Sequence, residues 1–550
     1  MSLPHEKRER GLPPTLAMAV MGTVATGPLA VVTGGVATTV GTTGVIGLGL
    51  IYALVAVALI AFSLASSAVV SHTGIAAGLH TYVARGLGER LGLGVAVLMA
   101  VSYAALSISY FGVIGFELQS QIREHAQYAV PWVILVVPFV ALVGFLGTRS
   151  LRTGAIVTVG VLGVVVAAHF LFDFTAIAHP APGGFSTDTL DPVTLFTGAI
   201  GAAVGFSVTA YPGIETPMAL GGELRATSRQ VTTAAYVAVI VAGVANVIAA
   251  LTVTSALGPQ TLADGTLEKG SDPVFDFLTN NLGAGPAGLF GVANLVAVFG
   301  AALVLHQAAA RSMRSLAAAG VLPPAFAVRS KRNGAPLNAS LLQSGVAIVV
   351  LLAFAIGGAD PFRTLFVILS NIGAVGVFLA LICAAGAVMV FLLRSDSEGG
   401  GFLGWEGKLV AAVVAALCIG AVLLSALLAS DVRLDVPSGS FAAAVPSLVV
   451  IAAIFTGVLC PAHRRTARSL ALDEVDEHAT PPALAPGGGD RPAAPSGTGF
   501  PTGSYPPPTA SPVLSPNGGF PVRNPAFHHP PAVGRPYLPS ADAPPPPPRR

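Results

Sequence analysis

Long apolar stretches separated by short polar segments dominate the first 460 residues of the chain. Twelve of them approach or exceed the roughly 20 residues that a helix needs to cross a bilayer core. Because lipid offers no hydrogen-bond partners, a single spanning segment satisfies its backbone only as a helix. The pattern therefore predicts an all-α polytopic membrane protein with twelve transmembrane helices. The predicted spans are residues 15–36, 43–67, 92–119, 131–148, 152–173, 194–220, 230–256, 286–318, 338–357, 362–393, 405–429 and 441–460.

Composition agrees with a membrane protein and excludes several other classes. Of the 550 residues 53% are hydrophobic and 10% are charged, against about a quarter charged in soluble proteins. A net charge of +2 argues against a nucleic-acid partner. The three cysteines lie in apolar runs, and the spans contain no paired carboxylates, nucleophile elbow, metal-ligand cluster or phosphate loop. We therefore expect a lipid-embedded protein that is not an enzyme and holds no cofactor or metal.

The distribution of Lys and Arg predicts the orientation of the spans. One set of alternating loops, with the N-terminal segment, holds 19 of these residues and the other set holds 4. Basic residues near membrane helices remain on the cytoplasmic side. We therefore predict a multi-pass protein of the cytoplasmic membrane with both termini in the cytoplasm.

The composition changes sharply near residue 461. Of the 43 prolines, 22 fall within the last 70 residues, and such a segment buries too little apolar surface to offset its ordering entropy. The sequence predicts three regions: a cytoplasmic N-tail (1–14), a twelve-helix membrane domain (15–460) and a disordered Pro-rich cytoplasmic tail (461–550). The tail is either a docking segment for a polyproline-binding partner or a non-specific extension.

Two spans carry glycine and proline near their centres. Span 1 contains Thr26, Gly27, Pro28 and Leu29, and span 6 contains the run from Thr209 to Glu215. Proline removes a helical hydrogen bond, so each motif predicts a break, although a single one would equally fit a simple kink. Breaks at matching places indicate an inverted-repeat transporter with its site at the breaks. Freed N–H groups there suit a carboxylate, and freed carbonyls suit an ammonium group or a cation.

Several polar residues inside the spans are further candidates. A carboxylate in the membrane is costly and by default functional, so Glu215 either binds substrate or satisfies the backbone of the break. Tyr103, Ser107 and Tyr110 share one face of span 3 and either line a pocket or make packing contacts. His306 in span 8 is either a proton carrier or a structural histidine.

Four motifs resemble those of one transporter family. They are the small-Gly-x-aromatic-x-Tyr pattern with its later glycine at 77–88, the Gly-aliphatic-Glu and downstream Glu at 213–223, the arginine-containing segment that ends Gly-x-Leu-Pro at 311–323, and the Ala335-Pro336 that opens span 9. In this order and spacing they resemble the amino acid–polyamine–organocation (APC) superfamily of permeases over residues 12–460. Two departures are Thr26-Gly27-Pro28 in place of the usual Gly-small-Gly, and the lack of a lysine in span 5.

The resemblance implies two inverted five-helix repeats with broken helices 1 and 6, followed by helices 11 and 12. It also implies secondary active transport of an amino acid or related amine by alternating access, with H⁺ or Na⁺ as a coupling ion. The ammonium would bind carbonyls near 209–212 and the carboxylate N–H groups near 26–29. A transporter-like sensor that signals through the tail is the alternative, and a membrane-embedded enzyme is disfavoured. The candidate substrate-binding residues are Thr26, Gly27, Pro28, Leu29, Thr209, Tyr211, Pro212, Gly213, Glu215, Tyr103 and Ser107.

Overall fold

Nineteen α-helices, with short 3-10 and π-helical segments between them, make up the part of the chain that the computed structural model describes, and no strand occurs there. The described residues are 12–73, 78–126, 130–264, 272–394 and 404–460. The predicted tail (461–550) and most of the predicted N-tail lie outside them. The helices are α1 Pro14–Ala25, α2 Pro28–Ala30, α3 Val36–Thr43, α4 Leu48–Thr73, α5 Leu79–Leu87, α6 Glu89–Ala126, α7 Trp132–Gly147, α8 Leu151–Ala178, α9 Ile200–Phe206, α10 Thr216–Leu220, α11 Ser228–Leu257, α12 Pro259–Ala263, α13 Asp272–Leu282, α14 Ala284–Ala318, α15 Leu337–Ile356, α16 Val367–Arg394, α17 Trp405–Leu428, α18 Ser430–Leu434 and α19 Phe441–Leu459.

Within the described residues, ten helical segments are long and apolar enough to cross a membrane. They correspond to ten of the twelve predicted spans, and they confirm a polytopic all-α membrane protein. The other two predicted spans, 131–148 and 194–220, correspond to the shorter apolar helices Trp132–Gly147 and Ile200–Ala210. The count of twelve therefore stays a prediction for these two segments. Span 6 is short because its helix ends where the Pro212-Gly213 motif begins.

Contacts between connecting segments group them at two ends of the helix bundle. One end, which we call the basic end, holds Arg85, Arg149 and Arg329. The other, the loop end, holds residues 179–199 and the short helices α12, α13 and α18. Chain direction therefore places the first halves of α6 and α8 toward the basic end, and the first half of α14 toward the loop end.

Corresponding helices of the two predicted repeats pack against each other. The second and seventh spans (α4 and α11) are in contact, as are the third and eighth (α6 and α14). The broken first and sixth spans meet through α1 and α10. These pairings are those expected when two five-helix units are related by an axis in the membrane plane. They bring the two breaks together near the middle of the bundle.

The surface and the interior of the bundle differ as a membrane protein requires. Large apolar side chains, such as Phe170 on α8, Ile356 on α15 and Leu417 on α17, are exposed on the outside. These side chains are expected to contact lipid, because so much exposed apolar surface would be unfavourable in water. Inside, most buried residues are Ala, Val, Leu or Gly, and small residues allow membrane helices to approach closely. The buried polar residues are therefore few, and their positions are informative.

Candidate substrate site

A cavity of about 160 Å³ lies beside both helix breaks. We call it the central cavity. Thr26 and Gly27 line it from the first break, and Thr209 and Ala210 line it from the sixth span. Residues of both described π-helical segments, Val31–Gly35 and Pro361–Phe366, also line it. Its further described lining residues are Ala30, Thr38, Thr39, Tyr52, Leu106, Ser109, Tyr110, Val113, Phe116, Glu117, Phe206, Val367, Ser370, Asn371 and Arg433.

The break in span 1 is centred on Gly27. Its φ of 62° lies in the left-handed region, which glycine adopts without the steric penalty of a side chain. A Cβ at this position would lie 2.6 Å from the hydroxyl oxygen of Tyr110. Helix α1 therefore ends at Ala25, and Pro28 begins α2 in a new direction.

Few N–H groups of this break remain to face the cavity. The N–H of Thr26 donates to the Thr23 carbonyl at 3.3 Å, and that of Gly27 donates to the Val24 carbonyl at 3.0 Å. Pro28 has no N–H. Leu29 is fully buried and does not line the cavity.

The break in span 6 is held by hydrogen bonds from its own and neighbouring side chains. Glu215 accepts a hydrogen bond from the N–H of Gly213 at 2.9 Å, and the Thr216 hydroxyl donates to the Gly213 carbonyl at 2.6 Å. On α11, the Asn246 amide donates to the Ala210 carbonyl at 3.2 Å. These bonds satisfy backbone groups that the interrupted helix leaves unpaired. One carboxylate oxygen of Glu215 therefore satisfies the backbone of the break, and a contact of this residue with substrate stays a prediction.

The two breaks are in direct contact. Gly213 has a φ of 116°, and a Cβ there would lie 2.6 Å from the Ala25 side chain and 2.7 Å from its carbonyl carbon. Glycine is therefore required at this position both by conformation and by close approach.

The structure brings three of the eleven candidate residues to the cavity wall: Thr26, Gly27 and Thr209. The Ser107 hydroxyl instead donates to the Ala302 carbonyl of α14 at 2.9 Å. The Tyr211 hydroxyl donates to the Tyr52 carbonyl at 2.6 Å, and Tyr103 lies beside Glu215. The other four, Pro28, Leu29, Pro212 and Gly213, are within the breaks but are not among the residues that line the cavity.

Sequence reasoning missed the two ionisable side chains on the described cavity wall, Glu117 and Arg433. Glu117 on α6 is 9% exposed and accepts a short hydrogen bond from the Asn294 amide of α14. Its position inside a predicted span was a usable signal, because carboxylates in a membrane mark functional sites. Arg433 had no such signal, since it follows span 11 in what the sequence presents as an ordinary loop.

An ion pair joins the segment that follows α10 to span 8, toward the basic end. The Arg311 guanidinium binds Glu223 with Nε–Oε2 and Nη2–Oε1 distances of 2.6 and 3.0 Å. Burial alone would raise the pKa of Glu223, but the charge and hydrogen bonds of Arg311 outweigh it and lower that pKa below its ordinary value. Nearby, His306 pairs with the Ser340 hydroxyl at 3.0 Å and does not line the cavity.

Comparisons with known proteins agree with this architecture. A sequence profile of the family described as amino acid permease matches residues 13–458. A solved manganese transporter of Eremococcus coleocola, in complex with an aromatic bis-isothiourea substituted compound, is 16% identical with a TM-score of 0.51. A point mutant of that transporter is 14% identical with a TM-score of 0.50, and both matches cover 84% of this chain and 95% of the other. No curated protein matches the chain in sequence.

The fold and the cavity at two broken helices define a membrane transporter rather than an enzyme. The chain belongs to the amino acid permease family, within the APC superfamily. The manganese transporters are similar in fold alone. Among the described residues, no group of three or more His, Cys, Asp or Glu side chains is placed to hold a metal ion.

Proposed function

We propose that this protein carries an amino acid or a related amine across the cytoplasmic membrane by alternating access. The observation that supports the proposal most directly is the cavity formed where two broken helices meet. Such junctions hold the substrate in transporters built from inverted repeats. The cavity is small, and its walls combine apolar side chains with a few polar groups, as expected for a site that binds one small solute.

The ammonium group of the solute is placed at the sixth span in this proposal. Thr209 and Ala210 line the cavity there, at the point where regular helix gives way to the break. Helix C-terminal carbonyls carry partial negative charge. Glu117 adds an acidic side chain to the same cavity. The carbonyls and the carboxyl group each favour a cation in the cavity.

Alternating access requires a conformation in which the site is open toward the outside and closed toward the cytoplasm. The described structure fits such a conformation when the basic end is assigned to the cytoplasm. Glu117 and Arg433 belong to the loop-end half of the bundle, so the cavity extends from the breaks toward the outside. The Glu223–Arg311 pair joins the segment after span 6 to span 8 on the cytoplasmic side of the breaks. Transport then requires this pair to separate while the outer half closes over the solute. A gradient of H⁺ or Na⁺ supplies the work in this proposal.

Uptake into proteoliposomes tests the proposal. Purified protein is assayed with a panel of labelled amino acids and polyamines, under imposed H⁺ or Na⁺ gradients and with no gradient. We expect saturable uptake of at least one compound, and a gradient of the coupling ion should raise it above equilibrium. Empty liposomes are the control. If no amino acid or amine enters under any gradient, the proposed function is wrong.

A further inference from the structure

Arg433 is a buried cation in the wall of the central cavity. It belongs to α18, the short helix between spans 11 and 12, and it is 5% exposed. Its Nη1 donates to the Ala426 carbonyl at 3.1 Å. Its Nε and Nη2 have no hydrogen-bond partner among the described residues. An arginine is rarely buried unless its donors are paired, because desolvation of the charge is costly.

The guanidinium remains charged in this environment. Burial lowers the pKa of Arg433 to about 9, so the side chain is protonated at neutral pH. The other ionisable side chain on the described cavity wall is Glu117, whose Oε1 already binds the Asn294 amide. The cavity therefore contains positive charge with donors directed to no protein acceptor, which suits an anionic group on the solute.

Arg311 of the same chain shows which group the Nε and Nη2 atoms of an arginine can bind together. Arg311 uses its Nε and Nη2 to hold both carboxylate oxygens of Glu223. Two parallel N–H bonds from one guanidinium match the geometry of a carboxylate and are among the stronger hydrogen bonds in proteins. In Arg433 it is again Nε and Nη2 that lack a protein partner.

The break in span 1 does not offer an equivalent set of donors. The N–H groups of Thr26 and Gly27 bond to carbonyls of α1, and Pro28 has none. A carboxylate in this cavity therefore needs a donor from elsewhere in the wall. Among the described lining residues, Arg433 has charged donors without a protein partner.

We propose that Arg433 binds a carboxylate of the transported solute through its Nε–Nη2 edge. This rests on the proposed function and selects between its two substrate classes: amino acids are bound, and amines without a carboxylate are poor ligands. The ammonium group of the amino acid then faces Thr209, Ala210 and Glu117. The proposal places the determinant of substrate class in α18 rather than in the backbone of span 1.

Matched pairs of ligands that differ by one carboxylate test this assignment. Binding to the purified full-length protein is measured by thermal stabilisation for leucine and isopentylamine, lysine and cadaverine, and arginine and agmatine. A ligand that binds the folded state raises its stability in proportion to occupancy. In the wild type we expect at least one amino acid to bind, and its amine to bind about 10- to 100-fold more weakly, as for the loss of hydrogen bonds to a charged group.

Variants of Arg433 separate recognition from folding. Arg433→Gln should weaken binding of that amino acid about 10- to 100-fold and bring its affinity close to that of its amine. Arg433→Lys keeps the charge but loses the paired geometry, so an intermediate loss of about 10-fold is expected. Arg123→Gln is the matched control, because Arg123 is an exposed arginine at the same end, beyond the last residue of α6 that lines the cavity. It should bind both compounds as the wild type does.

The outcomes distinguish this inference from the proposed function. The inference is overturned if Arg433→Gln and Arg433→Lys retain wild-type affinity for the amino acid, or if the wild type binds the amine equally well. A carboxylate without an amine, 4-methylpentanoate, is the second arm. If it binds the wild type and not Arg433→Gln, while no amino acid or amine binds, the role of Arg433 stands and the proposed function fails. If none of the carboxylates binds the wild type, the inference is wrong.

Discussion

Glycine residues at the two breaks determine how closely spans 1 and 6 approach each other and the cavity. Gly27 faces the Tyr110 hydroxyl, and Gly213 faces the backbone of Ala25. Both have positive φ values, so any side chain adds backbone strain to its contacts. The two positions differ in what a side chain would meet, a flexible phenol in one case and main chain in the other.

Replacing either glycine with valine should abolish substrate binding while the protein still reaches the membrane. The reason is that the added side chain displaces the opposite wall of the junction and strains the turn. The measurement is stabilisation of the purified variants by the amino acid that stabilises the wild type. Gly420→Val is the control, because no atom lies within 4 Å of a Cβ at that position. Wild-type stabilisation of both break variants would place the site away from the breaks.

The smaller change Gly27→Ala gives a sharper test of the local contact. Its Cβ would lie 2.6 Å from the Tyr110 oxygen, so adding Tyr110→Phe should recover part of the lost binding. The same phenylalanine should not rescue Gly213→Ala, whose contacts are with Ala25. Equal behaviour of the two double variants would show that Tyr110 is not the obstructing group.

Glu215 holds the broken turn of span 6 through the Gly213 N–H. Glu215→Gln keeps an acceptor but removes the charge, and charge-assisted hydrogen bonds are about twice as strong as neutral ones. We expect uptake to fall about tenfold or more, a loss of roughly 1.4 kcal/mol in a binding or transition-state term, with normal expression. Asp188→Asn, a change at an exposed loop residue, should leave uptake unchanged. Full activity in Glu215→Gln would show that the charge is not required.

Among the elements, both described π-helical segments border the central cavity. Val31–Gly35 follows the break of span 1, and Pro361–Phe366 opens span 10. Widened turns of this kind often accompany functional sites, because they disturb the regular hydrogen-bond ladder. Toward the basic end, the Glu223–Arg311 pair joins the segment after span 6 to span 8.

Breaking the Glu223–Arg311 pair should favour opening toward the basic end. Removal of one partner leaves a largely buried charge unpaired, which costs about 3–5 kcal/mol and shifts the population of the two conformations. The probe is a cysteine at Thr26, in a background without Cys383, Cys418 and Cys460. An impermeant maleimide added at the cytoplasmic face should react with this cysteine faster in Glu223→Gln than in the protein with the intact pair. The charge-reversed pair Glu223→Arg with Arg311→Glu should slow the reaction again. Unchanged labelling in Glu223→Gln would exclude a gating role.

The pH dependence of this closure has a defined sign. The folded pKa of Glu223 is lowered, so the pair is fully formed above the ordinary carboxyl pKa and is lost as pH falls through the lower, folded value. Because the thiolate is the form that reacts, labelling of the Thr26 cysteine is expressed as a ratio to its labelling in Glu223→Gln at the same pH. This ratio should be constant from about pH 5 to 8, because an ordinary glutamate titrates near 4.3. A rise in the ratio between pH 7 and 6 would contradict the assigned protonation of Glu223.

At the scale of the whole molecule, the transporter domain should function without the Pro-rich tail. We predict that a chain truncated after residue 470 inserts, folds and takes up substrate at wild-type rates, because the family match ends at residue 458. Uptake and surface expression of the two forms are compared. Loss of insertion would show that the tail supports folding. Intact uptake combined with loss of a cellular response to substrate would support a sensor function.

Much of the architecture follows from the sequence because it depends on local chemistry. Apolar runs of spanning length must form helices in lipid, and glycine beside proline interrupts a helix wherever it falls. These rules predicted ten spans that the structure contains, and both breaks. Neither rule depends on which other helix packs against the segment.

Tertiary structure alone decided which polar groups face the solute. Periodicity places Tyr103, Ser107 and Tyr110 on one face of span 3, but the packing of α6 against α14 occupies Ser107 and leaves Tyr110 and Ser109 at the cavity. Arg433 belongs to a short polar segment, and its burial follows from the contacts of α18 with α9 and α19. The sequence predicts which residues share a helix face, and it shows which side chains would be costly to bury. The neighbour that each face meets depends on contacts between residues hundreds of positions apart, and those exist only in the folded chain.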